Sequence, residues 1–185
     1  YDALLDGAQV AAERGLELDS CDSECLRILA QIAMLRGDLS LAVRHQERGL
    51  FLNPNDDRSV CAMGEFLSFM GRCDEAEGWI RKAIRLNPYH PPRYWSHLAR
   101  ALFHMGRFQE ALDALANVSA PRVRDLAYAA AASHALGGAD ASATHVKALR
   151  AAKPDFEAVR FVEALPYVDG DDPRTLLDQL NRALA

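Results

Sequence analysis

The chain has 185 residues, half of them hydrophobic and a quarter charged, the balance of a globular protein with a sizeable core. Its net charge of −5 gives no bulk basic signal for nucleic acid. The longest apolar stretch, Leu126 to Ala139, carries Ser133, His134 and two glycines and is too short and too polar to span a bilayer.

The first residues, up to about 22, read as one helix with Gly15, Leu16 and Leu18 near its end. The chain begins at Tyr1, inside that helical pattern, and no signal peptide is evident. The expectation is a piece of a longer protein that opens on the second half of a structural unit.

Two full units follow. The first runs from Ser23 as SECLRILAQIAMLRGDLSLAVRHQERGLFLNPND, the second from Asp57 as DRSVCAMGEFLSFMGRCDEAEGWIRKAIRLNPYH. Gly37 and Gly71, Ala42 and Ala76, Leu50 and Ile84, and Pro54 and Pro88 are each 34 residues apart. A fixed period of this size signals a repeat array. In the first helix of each unit, Leu26, Leu29 and Ala33 match Val60, Met63 and Leu67, an i, i+3, i+7 apolar stripe. The glycine ends that helix, where a left-handed cap costs glycine little. Asn53-Pro54 and Asn87-Pro88 end the second helix, because proline biases its predecessor away from helix. Small residues at 30 and 64, 42 and 76, and 49 and 83 mark where paired helices approach closely.

A third unit begins at Pro92, with its glycine at 106 and a short second helix over about 108–118. One residue is inserted near His90-Pro91, because 106 − 71 = 35. A fourth, Ala-rich unit starts near Val123 and takes Gly137 as its turn. The period then fails. Residues 156–185 predict a helix, a turn at Val168-Asp169-Gly170, and a last helix with Asp172 as N-cap and Pro173 at its first position. The expected organisation is a half repeat over about 2–22, repeats at 23–56, 57–91, 92–122 and 123–155, and capping helices over 156–185, with about eleven helices in all.

These residues resemble the tetratricopeptide repeat family: a small residue in the first helix, glycine at the turn, alanine early in the second helix, and Asn-Pro at the end. Trp95 stands where the family favours tryptophan. The resemblance implies an all-α, right-handed superhelical array of antiparallel helix pairs with a capping helix. Two segments, AIRLNPYHPPRYWSHLARALFHMGRFQEAL and KPDFEAVRFVEALPYVDGDDPRTLLDQLNRAL, are similar to the C-terminal repeats of bacterial class III adenylate/guanylate cyclases. The cyclase domain of those proteins precedes the repeats, so none of its nucleotide or metal residues can be placed on this chain.

In such arrays the concave face is lined by first helices, at the second, fifth, ninth, twelfth and thirteenth positions of a unit. The resemblance therefore implies a partner-binding groove containing Arg27, Gln31, Arg58, Glu65, Phe69, Arg93, Ser96, Arg100, Phe103, His104, Arg124 and His134. The arginines suit carboxylate or phosphate ligands through paired hydrogen bonds, with Phe69 and Phe103 as apolar anchors. Against this stands the simpler reading that exposed arginines keep a helical face soluble. The carboxylate clamp of chaperone-binding members uses lysine and asparagine, where this chain has Arg27, Cys61 and Ser96, then Gln31, Glu65 and Arg100.

No nucleotide-loop, dinucleotide, zinc-protease or serine-hydrolase motif occurs. His90, His97 and His104 are seven apart and do not form the i, i+4 pair of a helical metal site. Asp169, Asp171 and Asp172 lack the glycine and distal glutamate of a calcium loop. Cys21, Cys25, Cys61 and Cys73 form no C-x-x-C pair and suggest reduced thiols in the cytoplasm. Asn117-Val118-Ser119 fits a glycosylation pattern, for which chance is the simpler account.

The expected function is a protein–protein interaction or regulatory module of a larger bacterial signalling protein. It would bind a protein or peptide, or another domain of the same chain, with homodimerisation as a further mode. No cofactor, metal, membrane or nucleic-acid partner is expected. The alternatives are a co-chaperone-like adaptor for acidic tails and, less favoured, a small-molecule enzyme.

Overall fold

The computed structural model describes residues 2–168 and 170–185; Tyr1 and Asp169 lie outside the described residues, and with Asp169 the centre of the expected acidic turn. Every regular element among the described residues is helical: α1 (Asp2–Leu18), α2 (Ser23–Leu35), α3 (Leu39–Leu52), α4 (Asp57–Phe69), α5 (Cys73–Leu86), α6 (Arg93–His104), α7 (Phe108–Leu115), α8 (Val123–Ala152), α9 (Ala158–Glu163) and α10 (Asp171–Leu184). Gly138, with φ of 72° and ψ of −155°, breaks α8 into two arms. The turn of the fourth unit is thus one residue later than the expected Gly137.

Three helix hairpins are closed by the same turn. Gly37, Gly71 and Gly106 have φ of 82°, 74° and 73°. After each, the next N–H returns to the previous helix: Asp38 to the Ala33 carbonyl, Arg72 to Leu67 and Arg107 to Leu102, all at 2.9 Å. This is a Schellman closure, in which glycine takes the left-handed position and the last carbonyls find donors. Asp22 and Asp56, 34 residues apart, cap α2 and α4 by accepting N–H bonds from Cys25 at 2.9 Å and Ser59 at 3.3 Å. Arg72 and Arg107 cannot cap as Asp38 does. Each instead makes a bidentate ion pair with a first-turn glutamate, Glu75 or Glu110.

The chain divides into two units, 1–90 and 91–185. The division falls where the period gains its extra residue. In the first unit α1 packs on α2, α2 pairs with α3, α3 meets α4, and α4 pairs with α5. Its core holds Leu26, Leu29, Ala33, Val60, Met63, Leu67 and Ile80. The small residues sit at crossings. Ala30, Ala42, Ala76 and Ala83 are fully buried, and a Cβ on Gly64 would lie 2.5 Å from Ile80 Cγ1 and 2.9 Å from the Ala76 carbonyl oxygen.

In the second unit α6 pairs with α7, α7 packs on α8, and α10 lies against α8, α9 and α6. Leu176 and Leu180 of α10 are fully buried. Its helix begins at Asp171 after Gly170 as N-cap. Asp172 is therefore a first-turn residue and not the expected cap, and Pro173 stands third and not first. Ser133 Oγ lies 2.9 Å from His145 Nδ1, tying the two arms of α8 across the Gly138 break.

Candidate functional site

The residues expected to line a groove divide between the two units. In the first unit, consecutive first helices place two guanidiniums on one carboxylate. Arg27 pairs with Glu24 through Nη2–Oε1 at 2.5 Å and Nε–Oε2 at 2.9 Å. Arg58 reaches Glu24 Oε2 at 3.1 Å and Asp56 Oδ1 at 3.3 Å. The hydrogen bond from Arg27 holds the Glu24 carboxyl below its ordinary range, against partial burial and with help from the Arg27 and Arg58 charges. Arg27 is half-buried and Arg58 exposed. Gln31 is half-buried, with Nε2 3.8 Å from Met34 Sδ. Glu65 and Phe69, further along α4, are buried.

In the second unit, Arg93 is exposed and its guanidinium lies over the Tyr94 ring at 5.5 Å. Ser96 and His134 are half-buried and Arg124 is exposed. Arg100 is only 1% exposed, with Nη2 3.3 Å from His97 Nδ1. Phe103 is also interior, packed edge-on against Phe108, Tyr128 and His104. His104 Nε2 lies 2.5 Å from the Tyr167 hydroxyl, and the Tyr128 and Tyr167 hydroxyls bond each other. Burial, and next the Arg100 charge, push His104 down to about 3. Burial and then Tyr128 push the Tyr167 phenol well above its ordinary value.

Arg100, Phe69, Phe103 and Glu65 therefore stand inside the fold and not on an exposed face. Sequence position cannot reveal this, because burial of a first-helix residue depends on what packs over it. His97 and His104 share α6, but no cluster of metal-ligating side chains forms among the described residues.

Sequence reasoning missed two clefts, both on the side of the second helices. One, of about 800 Å³, lies between α1 and α3 over α2; the other, of about 380 Å³, lies between α3 and α5 over α4. Their linings correspond at the repeat step of 34. Gln9, Glu13, Leu16 and Glu17 of the first match Val43, Glu47, Leu50 and Phe51 of the second. Leu29, Ala33, His45 and Arg48 match Met63, Leu67, Trp79 and Lys82. Even the tether repeats: Arg48 Nη2 donates to the Ser20 carbonyl at 2.8 Å, and Lys82 Nζ to the Pro54 carbonyl at 3.4 Å. The period that reveals the repeats is also the signal that the clefts form a series.

Residues 57–90 match the family model described as tetratricopeptide repeat. No curated protein matches the chain in sequence. Among solved structures, the chain is similar to TTC0263, a thermophilic tetratricopeptide-repeat protein of Thermus thermophilus, with a TM-score of 0.67 and 17% identity over 86% of this chain and 90% of that one. A MamA protein gives a TM-score of 0.65 and 18% identity over 83% and 85%. YrrB, described as a tetratricopeptide-repeat protein with an unusual peptide-binding site, gives 0.64 and 17% over 94% and 91%. Residues 57–90 thus match the tetratricopeptide-repeat model, and the chain has the fold of the repeat proteins it resembles.

Proposed function

We propose that this chain is a protein-interaction scaffold that binds a carboxylate-bearing peptide on the first helices of its N-terminal unit. The observation that carries the reading is the convergence of Arg27 and Arg58, from successive repeats, on Glu24. Two guanidiniums sharing one carboxylate make a ready anion site. Glu24 occupies the place a ligand carboxylate would take. Binding then means exchanging an internal acceptor for an external one, which keeps affinity modest and specificity dependent on the ligand's neighbouring side chains.

In the second unit Arg93, Ser96, Arg124 and His134 are the accessible candidates for contact. Glu65, Phe69, Arg100, Phe103 and His104 act by fixing the helices. YrrB is described as binding peptide, which supports the same class of ligand here. The resemblance of residues 83–112 and 153–184 to cyclase-linked repeats supports a regulatory module within a larger bacterial signalling protein, in a cytoplasmic setting that suits four cysteines joined in no disulfide. No reaction is assigned to the chain.

The test is fluorescence anisotropy with labelled peptides ending in glutamate or aspartate clusters. The reading expects binding that weakens with salt and is lost on joint Arg27→Glu and Arg58→Glu substitution. Binding unaffected by that double substitution would sink it.

A further inference from the structure

In the second unit the chain itself occupies a first-helix position at which the repeat register expects a ligand contact. Residues 164–168 follow α9 without regular helix, and Tyr167 crosses from them onto His104 of α6. The two rings stand edge-on, with centroids 5.3 Å apart. The Tyr167 hydroxyl meets His104 Nε2 at 2.5 Å and bonds the Tyr128 hydroxyl of α8. Leu165, two residues earlier, is buried, while Ala164 and Val168 on either side are exposed. The segment thus inserts alternate side chains and leaves their neighbours in water, the manner in which a groove reads an extended peptide.

This strap is attached through side chains. The N–H groups of Ala164, Leu165 and Tyr167 bond to the carbonyls of Arg160, Val162 and Leu165, all within the strap's own stretch of chain, and Pro166 has no N–H to give. The helices on either side have anchors of their own: Ala158 and Val162 of α9 and Leu176 and Leu180 of α10 are buried. Lifting residues 164–168 therefore gives up the Tyr167 bonds and the burial of Leu165 while α9 and α10 keep their seats.

We propose that residues 164–168 are a built-in ligand of the second unit, and that a partner protein displaces them with an extended segment carrying a tyrosine two residues after a large aliphatic side chain. The chemistry of the occupant defines that of the partner. A tyrosine hydroxyl satisfies His104 Nε2 inside the fold, whereas a phenylalanine would strip it of its close partner. A tethered occupant competes at an effective concentration on the order of millimolar, so the strap lowers the apparent affinity of every rival and keeps the site shut until a well-matched segment arrives. This site lies in the second unit and does not depend on the Arg27 and Arg58 pair.

The experiment is an NMR titration of the full, nitrogen-15-labelled chain with the synthetic peptide acetyl-Ala-Leu-Pro-Tyr-Val-amide. Wild type should show saturable shifts of α6 and α8 amides at millimolar peptide, with the Tyr167 ring signals moving to those of a solvent-exposed tyrosine. Tyr167→Ala should raise the affinity about tenfold or more, and a peptide with phenylalanine in place of tyrosine should bind that variant about tenfold more weakly or worse. If Tyr167→Ala unfolds the second unit, Tyr167→Phe carries the test: it keeps the ring, loses the hydroxyl, and should bind the tyrosyl peptide several-fold more tightly than wild type. Shifts that persist in Arg27→Glu/Arg58→Glu would support the site independently of the carboxylate reading. Shifts confined to the first unit, equal affinity of wild type and the Tyr167 variants, or equal binding of the phenylalanine peptide would overturn the proposal. So would a Tyr167 ring whose signals stay unmoved at saturating peptide, since the strap would then be a fixed part of the core.

Discussion

His104 Nε2 meets the Tyr167 hydroxyl at 2.5 Å, joining α6 to the segment before α10 across 63 residues of chain. The bond lies in a closed polar cluster with Tyr128, and Asp172 Oδ1 stands 3.6 Å from the opposite ring nitrogen. The close Tyr167 contact and the depressed ionisation of His104 describe a neutral imidazole. Protonation would put a second cation beside Arg100 in a buried site.

This sets a pH dependence. The folded His104 titrates at about 3 and its ordinary value is 6.5, so the unfolded chain takes up the proton first. The stabilisation is fully present above pH 6.5 and is lost as pH falls toward 3, amounting to about 3 kcal/mol by pH 4. His45 is also lowered, by burial first, and contributes with the same sign. The lowered carboxyls Glu24 and Asp56 lose stability in the same direction, but only below their ordinary values near 4. Urea unfolding of His104→Gln between pH 6.5 and 4.5 should show a shallower slope than wild type.

Gly64 is where α4 and α5 approach closely. Gly64→Ala places a methyl against Ile80 Cγ1 and the Ala76 carbonyl oxygen, and backbone oxygen cannot step aside. The expected loss is about 1–3 kcal/mol, measured by thermal or urea unfolding. The corresponding Ala30 is accommodated one repeat earlier, where Gln46 replaces Ile80.

Two other glycines should respond in opposite senses. Gly106 has φ of 73°, so Gly106→Ala should cost about 1 kcal/mol. Gly78 lies within α5 with open space around its missing Cβ, so Gly78→Ala should add roughly 0.5–1 kcal/mol. Paired melting curves of the two variants check both signs at once.

The hairpins are legible in the sequence because their determinants are local. The glycines at 37, 71 and 106 and the Asn-Pro stops at 53 and 87 act within a few residues of themselves, so spacing locates the turns and helix ends. The break at Gly138 falls one residue from its expected place because Gly137 and Gly138 are adjacent, and only packing decides which takes positive φ. Asp172 reads as a cap in sequence, yet Gly170 precedes the helix. The groove is the least legible part. Position within a repeat assigns a first-helix side chain to a face, but Arg100 and Phe103 lie beneath other residues, and which face is covered depends on distant contacts such as that of Tyr167. The α3–α5 cleft is hidden in the sequence because Phe51 and Trp79 look like ordinary amphipathic residues until α4 places them around one concavity.

The first-helix account makes a specific demand of Glu24. If this carboxylate holds the place of a ligand, its removal should improve binding, not harm it. Glu24→Gln removes the internal charge but retains a polar side chain. Anisotropy titrations with glutamate-terminated peptides should give an affinity several-fold higher for Glu24→Gln than for wild type, with binding lost in Arg27→Glu/Arg58→Glu. Unchanged or weaker binding by Glu24→Gln, with the fold intact, would contradict the claim that Arg27 and Arg58 form the scaffold's carboxylate site.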